Sequence, residues 1–300
     1  MKHTWKITTI LIIMFLVAQL IGLFVINFYT NNDLPYGMQP PEEMQTDLSL
    51  VSIIIAFAIA LSLIFLLTKI KARWLLRLWF FAVIIIALGI ALSAIFFNLS
   101  PKYIMYISLI IAIPLAFFKV FKQNFLIHNL TELLVYPGIA AVFVPILNIW
   151  GIVLLLIVIS LYDIYAVWHA KFMQKMAKYQ INHLKFFAGF FIPYADSKER
   201  KKIKALKQKY KNKKIPNSVI KKKKIKVSLA ILGGGDVVFP IIAAGVLLRS
   251  SGLIPALLVS LFATIALLIL QILAKKGKFY PAMPFISAGI FVGMILGLLV

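Results

Sequence analysis

The chain contains no cysteine, which excludes a disulfide framework, a thiolate metal site and a cysteine nucleophile. Histidine is scarce: His3, His128, His169 and His183 share no ligand-like spacing, so neither a metal centre nor a cofactor is expected. Acidic residues are few, nine against 32 lysines and arginines, and long polar stretches are missing outside one segment. Apolar residues fill the space instead. Of 300 residues 62% are hydrophobic and 14% charged, well above the ~45–50% apolar share of soluble domains, and this marks a polytopic membrane protein. The net charge of +23 would suit either a nucleic-acid partner or a positive-inside bias over anionic lipid, and the position of the charges decides between them.

Nine apolar runs are long enough, or nearly so, to cross a ~30 Å hydrocarbon core at ~1.5 Å per residue. They lie at about 5–29, 49–68, 74–97, 102–119, 129–146, 149–170, 227–248, 253–274 and 280–300. The first exceeds the ~7–15 residues of a signal-peptide core, and no small-x-small cleavage site precedes Asn31, so it reads as a retained anchor. The fifth carries Glu132, Pro137, Gly138 and Pro145 and is expected to be broken or tilted. Basic residues alternate between the loops. Lys2 and Lys6, Lys69, Lys71 and Arg73, Lys119 and Lys122, and Lys275, Lys276 and Lys278 fall on one side, whereas the first loop holds Asp33, Glu42, Glu43 and Asp47 with no base. This predicts an all-α polytopic membrane protein of nine transmembrane helices, with the N-terminus cytoplasmic and the C-terminus, at Val300, extracytoplasmic.

One long basic segment divides the chain into residues 1–170, a cytoplasmic loop 171–226, and residues 227–300. The loop holds Lys198-Glu199-Arg200-Lys201-Lys202 and Lys221-Lys222-Lys223-Lys224. A nucleic-acid site would set such charge on a folded surface with aromatic platforms. Here it flanks two helix ends, and a linker that is disordered or apposed to the membrane is expected, with no nucleic-acid partner. Phe186-Phe187-Ala188-Gly189-Phe190-Phe191-Ile192-Pro193 is too short to span and reads as a short interfacial helix or a segment dipping into the protein. No internal repeat is apparent.

Three carboxylates fall inside apolar runs: Glu132, Asp163 and Asp236. An ionisable residue in hydrocarbon costs at least ~2.5–3.5 kcal/mol on the insertion scale, so each should face a cavity, a partner or water. Glu132 sits near a cytoplasmic helix end, and snorkelling to water is expected. Counting from Lys171 and from Lys226, Asp163 and Asp236 both lie roughly 10–15 Å below the cytoplasmic surface, on antiparallel spans either side of one loop. Two carboxylates in contact cannot both ionise cheaply and titrate as a unit, the arrangement by which an aspartic protease activates water. Buried carboxylates equally serve as proton or cation relays in transporters, or as packing partners in a membrane scaffold, and position alone leaves protease and transporter level.

The residues around Asp236 favour proteolysis. Gly233, Gly234 and Gly235 remove side chains for a turn before it, and Pro240 cannot donate to its carbonyl, which loosens the helix at the carboxylate. An open, glycine-lined backbone edge suits an unwound peptide held as an added strand.

Tyr162-Asp163 on one span and Gly233-Gly234-Gly235-Asp236 on the next resemble the YD and GxGD motifs of the presenilin and signal-peptide-peptidase family of intramembrane aspartyl proteases. Pro281-Ala282-Met283, before the last span, resembles that family's PAL motif with methionine for leucine, whereas Pro255-Ala256-Leu257 matches it literally in the wrong place. The resemblance implies that Asp163 and Asp236 are the catalytic pair, that Tyr162, Gly233, Gly234 and Gly235 shape the active site, and that Pro281, Ala282 and Met283 organise the catalytic centre and substrate. It further implies transmembrane-helix protein substrates and, from size, an archaeal or other prokaryotic member in the cytoplasmic membrane. The deduced orientation resembles presenilin rather than signal peptide peptidase.

Overall fold

A computed structural model describes residues 4–38, 73–122, 124–168, 188–195, 228–275 and 280–299, with the single positions 55, 59, 62 and 199. The predicted span at 49–68 and most of the basic loop therefore lie outside the described residues, although Ile55, Ile59 and Ser62 are helical.

Eight described helices carry the fold: α1 (Trp5–Thr30), α2 (Arg73–Phe96), α3 (Ile104–Phe121), α4 (Phe125–Phe143), α5 (Ile149–Trp168), α6 (Gly234–Ser251), α7 (Leu253–Leu273) and α8 (Met283–Gly297). Seven are long and apolar enough to cross a membrane, while α8, with 15 residues, is shorter. The chain is a multi-pass integral membrane protein. Its apolar runs become helices because hydrocarbon offers backbone amides and carbonyls no partner outside the helix itself.

The helix ends follow local chemistry. Asn124 caps α4 by accepting from the Leu126 amide. Gly252 (φ +96) takes the left-handed backbone that lets α6 turn straight into α7. Helix α4 runs through Pro137 to Phe143, and a 3-10 turn, Val144–Ile146, interrupts the run at Pro145.

The seventh apolar run is not helical throughout. Ser228–Gly233 is a strand, β2, and the helix begins only at Gly234. It pairs antiparallel with a second strand, β1 (Gly189–Tyr194), so the aromatic segment of the basic loop enters the protein as a strand and not as an interfacial helix. Phe190 of β1 is wholly buried. These two strands correct the all-helical expectation.

Helix α6 is the hub. It packs against α7, α1 and α4 and more lightly against α8 and α5. Val237, Ile241 and Ala244 of α6 join Leu11 and Phe15 of α1 in the main core. A smaller cluster between α2, α3 and α4, including Leu88, Ala112 and Val135, forms a layer behind it. Helices α7 and α8 approach so closely that a Cβ on Gly293 would stand 2.7 Å from the Val259 Cα and one on Gly297 2.8 Å from the Pro255 Cα. This is small-xxx-small packing, in which backbone meets backbone without intervening side chains.

Candidate active site

The strand-to-helix switch at Gly233 positions Asp236. Gly233 ends β2 in an extended conformation (φ −64, ψ 149) and is the N-cap of α6, which places Asp236 in the first helical turn. The Asp236 carboxylate reaches back to the Gly233 amide, as an acidic side chain at this position does in a capping box, and lies at the positive end of the helix dipole. The three glycines have separate reasons. A Cβ on Gly233 would come within 3.1 Å of Asp236 Oδ2, and one on Gly234 within 2.9 Å of the Tyr136 hydroxyl. Gly235 is exposed, and among the described residues a Cβ there would meet Phe239 alone, at 3.5 Å. Next to the carboxylate, Gln19 of α1 donates to the Val237 carbonyl at 3.2 Å.

Asp163 comes from α5 and is 4% exposed. Its Oδ2 accepts a hydrogen bond of 3.0 Å from the Met283 amide, and the Ala282 amide adds to this. Pro281-Ala282-Met283 therefore delivers the N-terminal end of α8 to this carboxylate, and Ser160 Oγ donates to Ser287 Oγ at 3.0 Å one turn away. Pro255-Ala256-Leu257 lies at the far end of α8, against Gly297. Tyr162, a residue before Asp163 and so about 100° round the helix, is turned outward and 39% exposed. Asp163 and Asp236 stand on helices that pack against one another, α5 and α6, and the charge of Asp163 reaches Asp236. Each carboxylate is thus met by amides at a helix N-terminus, and the two helices approach from different parts of the chain.

A second group of polar side chains supports the same region. Glu132 does not snorkel. It is 2% exposed, its Oε1 lies 2.9 Å from Lys119 Nζ, and it accepts from the Gly189 amide at 3.2 Å. Lys119, read from sequence as a loop charge, is buried in the last turn of α3. His128 and Asn129 also bond the backbone of β1. The sequence signal was present: His128, Glu132 and Tyr136 recur every four residues and so form one polar stripe, with Asn129 beside it, on a largely apolar helix.

The family model described as "Signal-peptide peptidase, presenilin aspartyl protease" matches residues 12–300. Among solved structures, a presenilin family intramembrane aspartate protease in a C222 crystal form is similar at 18% identity, covering 97% of this chain and 98% of that one with a TM-score of 0.61. The P2 form matches at 18% identity with 96% of both chains covered and a TM-score of 0.60. No curated protein matches. The fold is shared with these structures, and the chain belongs to the signal-peptide peptidase and presenilin family of aspartyl proteases.

Proposed function

We propose that Asp163 and Asp236 are the catalytic pair with which this aspartyl protease hydrolyses peptide bonds inside the membrane-spanning segments of other proteins. One observation supports the assignment above all: two carboxylates stand on packed helices, each accepts from helix-terminal amides, and the charge of Asp163 reaches Asp236. The ionised member takes a proton from water as the water oxygen attacks the peptide carbonyl carbon. The protonated member gives its proton to the carbonyl oxygen, and a gem-diol results. Collapse breaks the C–N bond: one carboxylic acid protonates the leaving nitrogen, the other carboxylate removes a proton from the diol, and the original pair is restored.

The substrate must be unwound before this can happen. The outer edge of β2, which ends at Gly233 three residues before Asp236, supports reading the substrate as an added strand whose backbone is led towards Asp236. Gly235 leaves room for that backbone, and Pro281, Ala282 and Met283 hold Asp163 towards it. Tyr162 lines the lipid-facing approach beside Asp163.

Nine spans with a cytoplasmic N-terminus, the 171–226 segment as a cytoplasmic loop between 1–170 and 227–300, and a prokaryotic cytoplasmic membrane complete the proposal, on the charge alternation of the loops. Family membership selects the protease over the transporter. The test is substitution: Asp163→Ala and Asp236→Ala should each abolish cleavage of a transmembrane reporter in liposomes, and cleavage by either variant would overturn the assignment.

A further inference from the structure

The outward main-chain groups of Gly189 and Phe191 in β1 are bonded by an unusual partner. Phe190 pairs with Leu232 and Ile192 with Ala230, and the Gly234 amide bonds the Ala188 carbonyl at 3.2 Å. Antiparallel hydrogen-bonded pairs alternate along a ladder, so these even-numbered positions face β2, whereas Gly189, Phe191 and Pro193 turn their main-chain groups outward. The outward edge is filled by side chains of α4. Glu132 Oε1 accepts from the Gly189 amide at 3.2 Å, and His128 Nε2 lies 2.8 Å from the Gly189 carbonyl. Asn129 bonds both groups of Phe191: its Oδ1 accepts from the amide at 3.1 Å and its Nδ2 donates to the carbonyl at 2.9 Å. Pro193 has no amide to offer.

A side-chain amide bonded in both directions imitates a neighbouring strand, and α4 therefore takes the place of a third strand on this side. On the other side, the outward groups of Leu229 and Ile231 in β2 have no hydrogen-bond partner among the described residues. A two-stranded ribbon is marginally stable by itself. Here it is seated on helix side chains whose charge is balanced at depth by Lys119.

We infer that Asn129, Glu132 and His128 are positioning residues, which fix β1, and through it β2, at one register relative to Asp236. They thereby close one sheet edge and select which substrate bond reaches the carboxylate pair. The inference rests on the protease reading of Asp163 and Asp236. A strand slip of two residues keeps the same faces in place but moves the backbone by about 6.8 Å. That is enough to present a different peptide bond.

The experiment uses the full-length protein in liposomes with a single-span reporter, product masses by mass spectrometry, and thermal unfolding as the fold control. Asn129→Leu should raise KM about tenfold, the effect of losing two neutral hydrogen bonds, with kcat within about threefold. It should also divide the products among neighbouring bonds. Asn129→Asp, which keeps the acceptor for Phe191 and loses the donor, should give the same products to a smaller degree and provides the readout if the leucine variant does not fold. Two double variants separate bonding from charge: Lys119→Met with Glu132→Gln retains an acceptor for Gly189 and should keep the wild-type products, whereas Lys119→Met with Glu132→Leu should not. Unchanged products and KM in the Asn129 variants, or identical products in the two double variants, would overturn the clamp while leaving Asp163 and Asp236 untouched.

Discussion

Asp163 is bonded to the main chain of Met283 and not to its side chain, at 3.0 Å and across 120 positions of sequence. The methionine side chain itself is buried, 3% exposed. Met283→Leu, which keeps volume and leaves the amide in place, should retain kcat within about twofold. Met283→Ala should cost about 2–5 kcal/mol of stability through the cavity it opens, and lower kcat as the α8 terminus settles away from the carboxylate. Reporter cleavage and thermal unfolding of the two variants check this.

Gly234 and Tyr136 make a pair that can be tested by rescue. The Tyr136 hydroxyl is buried without a hydrogen-bond partner among the described residues, and it lies where a Cβ on Gly234 would go. Tyr136→Phe should be neutral or stabilising by up to about 1 kcal/mol, since it removes an unsatisfied polar atom. Gly234→Ala should destabilise by about 1–3 kcal/mol from overpacking. Combined, the two should recover most of that loss, and a cycle with no coupling would show that the hydroxyl is not the obstacle.

Contact between α7 and α8 is backbone to backbone, so a branched side chain there acts at a distance. Gly293→Val should lower stability by at least about 1–3 kcal/mol and reduce cleavage, because α8 carries the Met283 amide at its other end. A variant equally stable and equally active would show that α8 can shift without moving its terminus.

The pH dependence follows from the carboxylates acting together. The kcat/KM profile should be bell-shaped, falling on the acid side as the base is protonated and on the alkaline side as the acid loses its proton, and both limbs belong to the pair. Asp236→Asn should remove activity at every pH; a profile that merely moved would point to another group.

The described helices were legible because each apolar run has to satisfy its backbone internally, and apart from the start of α6 their limits differ from the sequence reading by a few residues. The strands were not. Ser228-Leu-Ala-Ile-Leu-Gly233 is a short continuous apolar run joined directly to a helix, and such a run has no periodicity to tell strand from helix. The depth assigned to Asp236 used a helical rise of ~1.5 Å per residue over a segment that is extended, where the rise is ~3.3 Å. The pairing of Lys119 with Glu132 was hidden for another reason: it joins two helices, and each residue alone resembles a helix-end charge. Asp163 and Asp236, by contrast, stood out because carboxylates are rare in hydrocarbon.

Among the described residues helix α5 packs on α8 and more lightly on α6, and its Leu154 and Leu161 are exposed. Such apolar side chains suit acyl chains, and lipid is then expected to be part of the surroundings of Asp163. Lipid thickness then becomes a variable of the enzyme itself: a mismatched membrane tilts the loosely held helix against the well-packed one that carries Asp236. Catalytic rate should vary with acyl-chain length under conditions that leave the fold intact.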